Sequence, residues 1–155
     1  MRQTMGATVI AVVIAGLVMA AAVAASPEEN QAAFVRRDDT MKDLGRSFNV
    51  KIGRVASGRL QFSPDTVTAA ESVVHIVSTL PTLFPPGSDV ADSHLKSEIW
   101  ANQARFDQLV AAVQADAAAL LPVVKTGDKA QIAVAYKVLN DACNACHNEF
   151  RKPYE

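Results

Sequence analysis

The chain has 155 residues, half of them apolar, and a formal net charge of −1. That length fits one domain with ample material for a core, and the near-neutral charge excludes the basic footprint of a nucleic-acid-binding protein. Aromatic residues are few (6%) and alanine is abundant, which favours helix over sheet.

Residues 1–25 read as a targeting segment. Arg2 supplies a positive start, Ala7 to Ala22 is apolar apart from Thr8 and Gly16, and Ala22-Val23-Ala24 is a small-residue cleavage site. An uncleaved anchor is the competing reading, because Gly6 to Ala25 is nearly long enough to span a bilayer. The Ala-rich end and the cleavage site favour a signal peptide. The folded part, 26–155, is then exported, free of the membrane after cleavage, and periplasmic if the source is a Gram-negative bacterium.

Four amphipathic helices follow. Ser26, Pro27 and Glu29 form a capping box with proline at the first helical position. Phe34, Met41, Leu44, Phe48, Ile52 and Val55 then make a bundle-type seam to about Ala56, with a stop near Gly58. Ser63-Pro64-Asp65 starts a second helix, with an inward stripe of Val67, Ala70, Val74, Val77 and Leu80, stopped by Pro81. Phe84-Pro85-Pro86-Gly87-Ser88 opens an irregular connection to about Lys96. The third helix begins near Ser97, with a seam of Ile99, Gln103, Phe106, Leu109, Val113 and Leu120 and Trp100 at its flank. Pro122 should loosen its last turn, and Gly127 is a natural C-terminal cap. Asp128 caps a fourth helix whose stripe is Ile132, Tyr136, Leu139, Cys143, Cys146 with His147, and Phe150, ended by Pro153. The pattern predicts an all-α, antiparallel four-helix bundle.

The fourth stripe contains the strongest motif, Cys143-Asn144-Ala145-Cys146-His147. C-x-x-C-H is the attachment signature of c-type haem. On a helix, residues three and four apart share a face, so two thiols can reach one porphyrin edge while an imidazole stands over the iron. A thioredoxin-like pair should follow a strand, and none precedes it. A zinc site normally needs four ligands, and His75 and His94 make no pattern with two cysteines. A disulfide across this spacing on a helix is a poor geometric fit. One haem c, joined through Cys143 and Cys146 with His147 as ligand, is therefore expected inside the bundle.

With that motif on the last helix, the chain resembles the class II cytochromes c, cytochrome c prime and its low-spin relatives. Three stretches carry the resemblance: Arg37 to Gly45 on helix one, Leu83-Phe84-Pro85-Pro86-Gly87 with Ser97-Glu98-Ile99-Trp100, and Cys143 to Lys152. The resemblance implies Arg37 near a haem propionate, Met41 facing the open side of the iron, and Arg151 beside the proximal imidazole. Asp38 stands where the family commonly has Gln or Lys. Members of that family often dimerise through helices one and two, so the resemblance makes a homodimer possible, and the sequence itself does not decide between monomer and dimer.

Met41 is the one methionine beyond the targeting segment and lies on the inward seam. As a sixth ligand it would make a low-spin electron carrier serving a redox partner protein. As core packing it would leave a five-coordinate, high-spin iron open to small gases such as NO or CO. His75 and His94 are weaker candidates for the sixth position. Arg37 also reads as balancing Asp38 and Asp39 on a solvated face, and Arg151 as favouring the helix dipole. An enzyme such as a peroxidase would want polar distal groups near Met41, and the seam supplies none, so no enzyme activity is expected.

Overall fold

The computed structural model describes residues 25–153; the segment expected to target the chain, residues 1–25, lies outside the described residues apart from Ala25. The capping box forms as expected. The Ser26 amide donates to Glu29 Oε2 (2.7 Å), the Glu29 amide donates to Ser26 Oγ (3.2 Å), and helix α1 runs over Pro27–Gly45. The backbone then widens into a π-helical segment, Arg46–Ile52, and tightens again as α2, Gly53–Ala56. The first predicted helix is thus one rod from 27 to 56 with a π stretch inside it. The seam reads as ordinary α-helix; the π segment is a departure from that reading, and its wider turn still keeps Phe48 and Ile52, four apart, buried together. Phe48, Ile52 and Val55 are fully packed.

Helix α3, Pro64–Ser78, starts behind Ser63, where a second capping box joins Ser63 and Thr66. Its buried face is Thr66, Ala69, Ala70, Val73 and Val77. Val67 and Val74, expected to face inward, are only partly buried, because the stripe is turned by one residue toward Thr66 and Val73. A 3-10 turn, Leu80–Thr82, built around Pro81, closes the helix.

The third predicted helix divides. Helix α4, Glu98–Ala101, ends at Asn102, whose φ of −120° and ψ of 38° break the spiral before α5, Gln103–Thr126. The break turns Gln103 to solvent, where it bonds Asp107, so Gln103 does not belong to the seam. Phe106, Leu109, Val113 and Leu120 do, joined by Val110, Ala117 and Val124. Helix α5 passes through Pro122, and Gly127, at φ +70°, caps it in the left-handed region. Asp128 then caps α6, Lys129–Phe150, accepting from the Ala130 (2.9 Å) and Gln131 (3.1 Å) amides.

The rod 27–56, α3, α5 and α6 form the antiparallel four-helix bundle. α5 packs on both α3 and α6, and α2 packs on α6. α1 instead packs on α3 and the π stretch. The first rod and α6 therefore meet at one end of the bundle, and a cavity lies between them toward the other. The chain's end is tied to the connection that follows α3. Leu95 and Arg151 form an isolated antiparallel bridge, the Lys96 amide donates to Phe150 O (3.0 Å), and the Lys152 amide donates to His94 O (2.7 Å). That pairing holds the last turn of α6 in place.

Candidate functional site

The cavity measures about 400 Å³. Met41, Leu44, Gly45 and Phe48 wall it on the first rod, and Cys143, Cys146 and His147 on α6. Phe106, Val110 and Val113 of α5 also line it, and Phe84, His94 and Leu95 of the connection close one edge. Its size lies within the roughly 300–1,000 Å³ usual for a cofactor pocket. The fold thus brings together all six residues singled out in the sequence: Arg37, Met41, Cys143, Cys146, His147 and Arg151 each border it.

On α6 the motif residues share a face by helical periodicity. Both thiols are free and half-buried. Burial pushes each of them up to about 11, with Cys146 adding to the effect on Cys143 and Glu149 to that on Cys146. Both are therefore neutral thiols at ordinary pH. Burial, and then the charge of Arg151, pulls the His147 imidazole below its usual range. The neutral form that can ligate a metal is favoured. Arg151 stands beside His147 in a second way, since its amide donates to His147 O (3.0 Å).

Arg37 has an environment that no sequence pattern announces. Only 6% exposed, its guanidinium makes four hydrogen bonds into the connection. Nη1 donates to Leu83 O (3.0 Å) and Ser88 Oγ (2.9 Å), and Nη2 to Ser88 O (2.8 Å) and Ser93 Oγ (2.9 Å). It also stands 5.4 Å from the Phe84 ring centroid. Burial pulls its pKa down, while Asp89 and Asp38 oppose that. The solvated-face reading is excluded by this burial. Four of its five N–H donors are committed to the connection. Asp38, also at the cavity, pairs with Lys42 (2.5 Å).

The turn that receives Arg37 has its own logic. Pro86 and Gly87 occupy its centre, Gly87 at φ +86°, and the Ser88 amide closes it on Pro85 O (3.2 Å). Glycine is the residue such a turn wants at its third position. The turn sends Ser88 inward, completely buried. Trp100 Nε1 ties the same connection to helix α4 through Phe84 O (3.0 Å).

Two expectations about histidine meet the structure differently. His75 is exposed on α3, away from the cavity. His94, read as a loop residue in solvent, is exposed but also lines the cavity, because the pairing with Lys152 folds its loop over that edge. Among the described residues no cluster of three or more His, Cys, Asp or Glu could hold a bare metal ion. A haem fits this donor set where a bare ion does not. It needs two thiols for its rim, one neutral imidazole for its iron and an apolar chamber.

Comparison with known proteins agrees with the geometry. Residues 32–151 match the family model described as Cytochrome C'. A cytochrome c' of Pararhodospirillum photometricum is 31% identical over 83% of this chain and all of its own length. A cytochrome c-556 of Agrobacterium fabrum is 30% identical over 93% of this chain and 94% of its own. Among solved structures, cytochrome c prime from Shewanella frigidimarina superposes with a TM-score of 0.75 at 27% identity, covering 83% of this chain and all of that one.

Proposed function

The chain belongs to the cytochrome c' family, a family of haem proteins, and on that premise we propose that it is an exported electron-transfer protein and not an enzyme. Cys143 and Cys146 would join one haem c, and His147 and Met41 would ligate its iron. The observation that carries this reading is the placement of Met41, from the first rod, and His147, from α6, on the walls of one cavity. Once bound, a haem would supply one-electron chemistry at its iron, and ligation by a thioether together with an imidazole would favour a raised reduction potential. The residues do the rest. His147 presents a neutral nitrogen, Arg151 and the bridge to Leu95 fix the end of its helix, and Phe48, Phe106 and Val113 give the chamber apolar walls.

Acid–base catalysis finds little support there. Arg37 is engaged by the connection and Asp38 by Lys42. The other residues that the first rod turns to the cavity beside Met41, namely Phe34, Leu44, Gly45, Phe48 and Asn49, carry no acid or base. The targeting segment expected at residues 1–25 supports export, to the periplasm in a Gram-negative bacterium, and the electron-carrier reading implies a redox partner protein there.

A second reading keeps the haem and His147 but leaves Met41 as packing. The iron is then five-coordinate and takes NO or CO. Its support is the same apolar wall, which suits small uncharged ligands. Two leucine-replacement variants of the cytochrome c prime of Alcaligenes xylosoxidans, which share this fold at 21% and 23% identity, have also been solved with nitric oxide and with carbon monoxide. Optical and electron paramagnetic resonance spectra of the mature protein, with and without CO, separate the two. A low-spin ferric signal that becomes high-spin in Met41→Ala supports the electron carrier. A high-spin signal with ready CO binding, unchanged in kind by Met41→Ala, refutes it in favour of gas binding.

A further inference from the structure

Two glycines sit inside the helical backbone of the first rod, for different reasons. A Cβ on Gly53 would lie 3.0 Å from three atoms of the Tyr136 side chain, so glycine lets α2 close on α6. Gly45 has no such neighbour. Its φ of −60° and ψ of −40° are ordinary helix, so no backbone strain asks for glycine. A Cβ built on it meets nothing within 4 Å, so no packing in the folded chain asks for it either. Glycine also weakens a helix relative to alanine. What Gly45 does border is the cavity that Met41 and His147 share. It stands one turn after Met41, and because Cα–Cβ bonds tilt toward a helix's N-terminus, the side chain it lacks would point into the space beside Met41.

We infer that Gly45 sets the clearance on the distal side of the haem: the side chain missing at 45 is the room that the group over the iron needs. Residue 45 then decides how freely a small ligand, or the Met41 thioether itself, reaches the sixth position. This rests on the haem reading and holds whichever role Met41 has.

The test is CO association with the ferrous holoprotein after flash photolysis, in a Met41→Ala background where the sixth position is open. Gly45→Ala, Gly45→Val and Gly45→Leu are compared there with Gly45. Filling a space the ligand needs should slow association in the order Ala, Val, Leu, by about tenfold for the largest. Should Gly45→Leu yield no holoprotein, the order across Gly, Ala and Val decides. Rates independent of residue 45 overturn the inference. So does a loss of thermal stability with unchanged rates, which makes Gly45 a packing residue only. A parent protein that carries no covalent haem sinks the haem reading itself, a different failure and visible before residue 45 is changed.

Discussion

Replacing Arg37 with methionine should loosen the connection that closes the cavity, and the structure sets the size of the effect. The guanidinium serves four acceptors: Leu83 O, Ser88 O, Ser88 Oγ and Ser93 Oγ. Ser88 and Ser93 are themselves buried, so water does not readily replace what is lost. At about 1 kcal/mol net for each bond, the loss is about 4 kcal/mol. The serine hydroxyls can rotate to other partners, while the two carbonyls cannot, which puts the floor at about 2 kcal/mol. Methionine also relieves the desolvation that lowers the Arg37 pKa, and this works against the upper value. Arg37→Lys keeps the charge but replaces a planar fork with a point donor, and should fall between the two. Urea unfolding of the holoprotein, followed by far-ultraviolet circular dichroism and by the haem absorption band, reads this directly. With a slope of about 2 kcal/mol per molar urea, the Arg37→Met midpoint should fall by about 1–2 M. A midpoint within about 0.3 M of wild type, with the change confined to the reduction potential, would mean that Arg37 serves the haem propionates and that the connection does not depend on it.

Three further outcomes follow from other parts of the molecule. Changing Cys143 and Cys146 together to alanine should leave no haem resistant to acid–acetone extraction; full covalent loading of that variant would refute the thioether assignment. Gly53→Val should cost about 1–3 kcal/mol in the same urea assay, since its side chain meets Tyr136 at 3.0 Å; a neutral effect would mean that α2 and α6 separate freely. The Asp128 carboxyl is held below the usual carboxylate range, first by the Gln131 amide. With a folded pKa below the unfolded one, its contribution is present above about pH 4 and is lost as pH falls through the folded value. Thermal melts of Asp128→Asn should therefore show a shallower acid limb than wild type, and an identical limb would show that the cap carries no charge-dependent stability.

Much of this architecture is legible in the sequence because local signals and packing agree. Ser26, Ser63 and Asp128 cap helices where their spacing says they should, and Gly127 ends α5 in the left-handed conformation. The motif on α6 is readable because covalent attachment demands a fixed spacing. What is not legible depends on contacts distant in the chain. Asn102 breaks the third helix although asparagine is tolerated in helices, and the break moves Gln103 off the seam. The stripe of α3 turns toward Thr66, a polar residue that is buried where the apolar pattern pointed to its neighbour Val67. The burial of Arg37 depends on Ser88 and Ser93, 51 and 56 residues away, and two serines in a loop announce nothing. His94 lines the cavity edge in a loop whose backbone pairs with Lys152, a contact distant in the chain. Periodicity tells which face a residue is on and not which loop will fold over it.

The central claim is that the iron stands between an imidazole from α6 and a thioether from the first rod. X-ray absorption at the iron edge of the mature holoprotein measures this at the metal itself. The claim predicts one sulfur in the iron's first coordination shell, in both oxidation states, and its disappearance in Met41→Ala. A first shell of nitrogen alone in the wild-type protein, identical to that of Met41→Ala, would contradict it and leave Met41 as a packing residue above an open iron.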